Sequence, residues 1–158
     1  SNGSLMDIGV YCVHPMVKIL GKPDCVMASC VKLHNGVDGM GTILASYDEQ
    51  GAQAELIYSK ITDSPVPSQI QGEEGTMYME SLPILTKVWI RYRDKSREDI
   101  SFELEDPGNN MNYEIAEFMR IAEANGSAEK HNQYSVWEMQ VMDEARRQMG
   151  IVFPADRV

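Results

Sequence analysis

The sequence predicts an α+β domain: an open, predominantly antiparallel β-sheet with helices packed on one face. Three observations carry that expectation. An apolar period of helical spacing opens the chain, alternating segments bounded by turn residues fill its middle, and two further helical segments close it. At 158 residues the chain suits one domain spanning 1–158, and no repeat, low-complexity tract or linker divides it. Ser1-Asn2 reads as a cloning remnant.

The first helix should begin at Leu5. Ser4 followed by Asp7 sets a serine three residues before an acid, the pattern of a capping box. Met6, Val10, Val13 and Val17 share one face, widened by Leu5, Ile8, Cys12 and Ile19, so most of the helix reads as buried. Asp7, Tyr11 and His14 then stand at i, i+4 and i+7 on a narrow polar stripe. Pro15 lacks an N–H and crowds the carbonyl of Tyr11, which predicts a kink beside the phenol. Gly21 supplies a C-terminal cap, and Pro23 prevents continuation.

Strands are expected at 24–34, 41–48 and 53–61, the last two joined by a hairpin at Asp48-Glu49-Gln50-Gly51. Strands at 69–71 and 76–81 pair across Gly72-Glu73-Glu74-Gly75, and 87–93 pairs with 99–105 across Asp94-Lys95-Ser96-Arg97. Trp89 and Arg91 alternate with Val88, Ile90 and Tyr92, so one side of that strand carries an aromatic among cations. Helices follow from Met111 to Asn125, ended by Gly126, and from Val136 to Met149, ended by Gly150. Ser135 with Glu138 suggests a second capping box, and Arg146 and Arg147 oppose the helix dipole. Met111, Ile115, Met119 and Ala122, then Val136, Met139, Met142, Ala145 and Met149, form apolar stripes read as core.

A net charge of −10 argues against nucleic acid and against an anionic membrane surface. With no apolar run near the length of a span and no leader, the expectation is a cytoplasmic protein. Cys12, Cys25 and Cys30 are too few for a disulfide scaffold, and Cys25 and Cys30 differ in strand parity, so no metal site is expected. Asn125-Gly126-Ser127 fits a glycosylation sequon but reads as ordinary turn chemistry. Gly39-Met40-Gly41 is followed by Leu44 where a dinucleotide fingerprint needs its third glycine, so no cofactor-binding residue is assigned.

The run Gly3-Ser4-Leu5-Met6-Asp7-Ile8-Gly9-Val10-Tyr11-Cys12-Val13-His14 resembles the Gfo/Idh/MocA oxidoreductases, where their Rossmann domain passes into the C-terminal domain. The family's pattern there is a triple glycine, then Asp-x-Gly-x-His-x-x-Asp. Asp7 and Gly9 match, while Tyr11 replaces the usual histidine, as in the sugar and dihydrodiol branch, and His14 replaces the aspartate. Gln69 to Met77, Tyr113 to Phe118 and Val141 to Arg147 resemble the family's strand–turn–strand and last two helices, so the likeness covers nearly the whole chain. Lys22-Pro23 follows Gly21 and is not the family's Glu-Lys-Pro.

The resemblance implies the substrate-binding and oligomerisation half of an NAD- or NADP-dependent oxidoreductase acting on a sugar, polyol or diol, with its Rossmann half absent. Tyr11 is then the proton donor and acceptor, Asp7 binds substrate hydroxyls or orients the phenol, and His14 contacts substrate. No nicotinamide binding or activity is expected of this chain alone. A homodimer or tetramer through the sheet is expected, with Trp89 as an anchor. Taken without the resemblance, Asp7 is equally a capping acid, Tyr11 a boundary aromatic, His14 a structural histidine, and Gly9 a point of close approach. The competing function is a non-catalytic assembly or ligand-binding domain of the same fold.

Overall fold

The computed structural model describes residues 3–103, 109, 111–124 and 126–157. The expectations at Ser1-Asn2, 104–105 and Asn125 lie outside these residues. The described backbone falls into two compact units, residues 1–63 with 128–158, and residues 64–127. Both are built on open antiparallel sheets, in keeping with the α+β expectation.

In the first unit a π-helical turn, Leu5–Gly9, leads into α1, Val10–Leu20. Strands β1 (Cys25–Lys32), β2 (Asp38–Tyr47) and β3 (Ala52–Ser59) form a sheet of that order, and α3, Glu129–Met149, returns against it. The hairpin falls where the turn residues put it: Tyr47 pairs with Ala52, and Gly51 takes a positive φ of 60°. Alternate residues of the sheet face the helices. Ile43, Ala45 and Tyr47 of β2 and Tyr58 of β3 meet Leu5, Val13, Met16 and Val17 from the first helical run and Val141, Met142, Ala145 and Met149 from α3. Val136 and Met139, read from sequence as core, are exposed because the buried stripe of α3 starts further along the helix.

Neither serine cap forms. Ser4 makes no side-chain capping bond; the Leu5 N–H instead donates to Asp38 Oδ2 at 2.6 Å, across 33 residues. Ser135 lies inside α3, which starts at Glu129, and its hydroxyl donates back to the His131 carbonyl at 3.3 Å. At Leu5 the local pattern yields to a partner brought by tertiary contact, and at Ser135 to a helix that has already begun at Glu129. The C-terminal caps hold as read: Gly21 (φ 84°) closes α1 on the Val17 carbonyl, and left-handed Gly150 donates to Arg147 while Ile151 donates to Arg146, a full Schellman motif. Helix α1 continues through Pro15, and a π turn at Leu5–Gly9 leads into it.

Helix α3 also finishes the sheet. The Gln148 side-chain amide accepts from Ala28 N–H at 2.8 Å and donates to the Val26 carbonyl at 2.7 Å, so it takes the place of a neighbouring strand on the free edge of β1. Further along, at the end of β1, the strand is held again where Lys32 Nζ donates to the Gly150 carbonyl.

The second unit is a four-stranded meander of β4 (Ser68–Gln71), β5 (Gly75–Met79), β6 (Lys87–Tyr92) and β7 (Ile100–Glu103), followed by α2, Met111–Glu123. Tyr78 and Trp89 are cross-strand partners with rings stacked 5.2 Å apart, and the Arg91 guanidinium lies 5.6 Å from the Tyr78 ring centre. The aromatic-with-cations side of β6 is therefore as read from its alternation. The stripe of α2 is not core: Met111, Ile115 and Met119 are all more than half exposed.

Two expectations follow from this packing. Asp38→Ala leaves the Leu5 amide without its acceptor in a buried place, at a cost of about 2 kcal/mol; urea unfolding should show a lower midpoint with unchanged slope, and an unchanged midpoint would show the bond to be dispensable. Tyr47 donates its hydroxyl to the Gly21 carbonyl, and burial, aided by the Asp24 charge, pushes the phenol up to about 12. Burial pushes Tyr58 up as well. Below about pH 10 both states keep the proton and the contribution is whole; above it the unfolded phenol ionises first, so stability falls as pH rises through the folded value. Tyr47→Phe should flatten that alkaline loss in denaturation curves recorded from about pH 9 to about pH 12, and a loss as steep as the parent's would remove Tyr47 as its source.

Candidate functional site

Asp7, Tyr11 and His14 all reach solvent from the first helical run, while Leu5, Val13 and Val17 of the same run are buried. Asp7 lies in the π turn, so its relation to Tyr11 is set by the wider i→i+5 bonding of that turn, such as Gly9 N–H to the Ser4 carbonyl. Tyr11 is 49% exposed, and its hydroxyl has no partner among the described residues. A phenol held on a rigid helix with its oxygen free is placed to exchange a proton with a bound hydroxyl.

Its two neighbours are engaged, each by a residue the sequence does not single out for that task. Lys60, just beyond β3, forms an ion pair with Asp7 Oδ2. Glu138 of α3, only 12% exposed in its side chain, sits 2.8 Å from His14 Nδ1. No local signal announces either pair, since Lys60 arrives from the far end of the hairpin and Glu138 lies 124 positions from His14. Asp7 is thus not a capping acid, and Glu138 is not the acid of a box with Ser135.

Gly9 has a packing role. A Cβ there would stand 3.0 Å from Leu5 Cδ1 and 3.3 Å from Tyr58 Cγ, so the Tyr58 ring is seated directly on the helix between Asp7 and Tyr11. The close approach anticipated at Gly9 is made by a side chain rather than by another backbone. Cys12, beside Tyr11, is raised above the ordinary thiol range by burial and contacts the Ile57 carbonyl at 3.9 Å.

The glycines that imitate a nucleotide loop do other work. Gly39 and Gly41 lie inside β2, where a Cβ would meet Leu33 Cδ2 and the Tyr58 hydroxyl respectively. Neither opens a helix, as a pyrophosphate cradle requires. This glycine pair therefore does not fit a nicotinamide dinucleotide.

No family model matches the chain. It is 45% identical over 159 residues to scyllo-inositol 2-dehydrogenase (NADP(+)) of Bacillus subtilis, covering 99% of this chain and 47% of that protein. It is 27% identical to trans-1,2-dihydrobenzene-1,2-diol dehydrogenase of Danio rerio, covering 98% of this chain and 48% of that one. A solved oxidoreductase from Agrobacterium radiobacter, in complex with NAD+, L-tartaric acid and magnesium, shares the fold at a TM-score of 0.68 and 13% identity, over 93% of this chain and 47% of the other. The chain spans about half the length of the curated relatives it matches. The relatives it matches are oxidoreductases of the Gfo/Idh/MocA type, and a match to about half of each is in keeping with the C-terminal domain of that family.

Proposed function

We propose that this chain is the substrate-binding and oligomerisation half of an NAD- or NADP-dependent oxidoreductase acting on a sugar, polyol or diol hydroxyl, with Tyr11 as proton acceptor and donor. The observation that carries this reading is the free, half-exposed Tyr11 hydroxyl between two engaged polar neighbours, in a chain related to a polyol and a diol dehydrogenase. In alcohol oxidation the hydride departs with its electron pair and the hydroxyl proton must go elsewhere; here it passes to the Tyr11 oxygen. A phenol serves as a base near neutral pH where a cation beside it favours phenolate, and the family resemblance assigns that cation to a lysine of the half outside this chain. Lys60 engages one Asp7 oxygen, leaving the second to accept from a substrate hydroxyl.

The hydride acceptor is the business of the longer protein. Taken alone, this chain is proposed to be inactive and not to bind nicotinamide, because its glycines pack strands. Among the described residues no helix is long and apolar enough to cross a membrane. Cys12, Cys25 and Cys30 are free thiols, which supports a reducing, cytoplasmic setting. In the full-length enzyme Tyr11→Phe should lower kcat by about 10²–10⁴-fold without loss of fold, the range for removing a general acid or base. A loss smaller than about threefold removes Tyr11 from the mechanism and favours the non-catalytic assembly reading.

Assembly is proposed to be a homodimer or tetramer formed face to face through the sheets. The outer face of β1 and β3 leaves Met27, Val31 and Ile57 more than half exposed, and the second sheet offers the Trp89–Tyr78–Arg91 ladder. Light scattering at micromolar concentration should report at least two copies of the 17.8 kDa chain. Trp89→Glu or Ile57→Glu should shift the population to monomer, and a monomer indifferent to both would defeat the proposal.

A further inference from the structure

We propose that Glu138 is a positioning residue: it fixes the His14 imidazole so that Nε2 accepts a hydrogen bond from a hydroxyl of a polyol, sugar or diol substrate. This rests on the dehydrogenase reading above and names one of its specificity elements. The Glu138 carboxylate is nearly enclosed and lies 2.8 Å from Nδ1. An ionised carboxylate only accepts, so Nδ1 carries the proton, and in the neutral ring Nε2 is then the unprotonated nitrogen. His14 is 45% exposed in its side chain, and Nε2 has no partner among the described residues.

Both ends of the pair are held by buried residues on their own helices. Val13, Met16 and Val17 anchor α1 around His14, and Val141 and Met142 anchor α3 about one turn beyond Glu138. The ring is consequently oriented before any ligand arrives, as a metal-bound histidine is oriented by its outer carboxylate. On the same helix as Tyr11 and one turn further along, an acceptor of fixed direction selects for ligands that donate a hydrogen bond there, and a ligand lacking that hydroxyl leaves Nε2 unpaired.

The test uses the full-length enzyme with NAD or NADP and a panel of cyclic polyols, aldoses and vicinal diols. Glu138→Ala should raise KM by about tenfold with kcat within about twofold, the signature of binding lost equally from ground and transition states. Glu138→Gln, whose amide oxygen still accepts from Nδ1–H, should restore most of the KM. On 15N-histidine-labelled protein, with His14 assigned by its absence in His14→Asn, the neutral ring should show an unprotonated Nε2. Unchanged KM in Glu138→Ala, or a neutral ring protonated at Nε2, overturns the proposal while leaving the Tyr11 reading intact. Absence of turnover across the whole panel sinks the dehydrogenase reading and this inference with it. Should Glu138→Ala fail to fold, Glu138→Gln and the wild-type spectrum decide: a Glu138→Gln KM raised by as much as about tenfold, or an Nε2 proton, overturns it.

Discussion

The hydrogen bond from the Leu5 amide to the buried Asp38 carboxylate is the constraint on which the rest of the first unit depends. It is reinforced by the backbone, since Ser4 N–H donates to the Asp38 carbonyl at 2.9 Å. Gly3, at φ 86°, passes so close to the Asp38 side chain that no Cβ fits. The start of the helical run is thereby nailed to the start of β2. The candidate site residues on that run follow directly from this junction, with the π turn lying between the fixed start and α1.

A second anchor lies one turn along, where the Tyr58 ring rests on Gly9. Between these points the helix has little freedom to roll, because Leu5, Val13 and Val17 are fully enclosed. The polar groups then divide. Asp7 turns to Lys60 at the end of β3, His14 turns to Glu138 on α3, and Tyr11 between them keeps its oxygen unengaged by the described residues. The helix thus presents one uncommitted hydroxyl flanked by two groups whose directions are fixed by different elements.

Much of this was legible from local chemistry. The hairpin at Asp48 to Gly51, the Gly21 and Gly150 caps and the alternation of β6 all depend on residues within a few positions of one another, and all appear as read. What escaped depends on distant partners. Ser4 and Ser135 satisfy the letter of a capping box, yet the amide of Leu5 finds Asp38 and the carboxylate of Glu138 finds His14. The start of α3 was missed because Glu129 to Ser135 is polar and carries no apolar stripe to announce a helix. Methionine-rich periodicity was likewise an incomplete guide, buried at Met142 and Met149 but exposed at Met111 and Met119.

The Gln148 amide also decides what the edge of the first sheet can do. A sheet grows sideways only where an edge strand still offers its amides and carbonyls, and at Val26 and Ala28 those groups are already spoken for by a side chain from α3. Lys32, bound to the Gly150 carbonyl, sets a cation at the far end of the same edge. Strand-by-strand extension through β1, the route by which open sheets drift into fibres, is closed along that stretch.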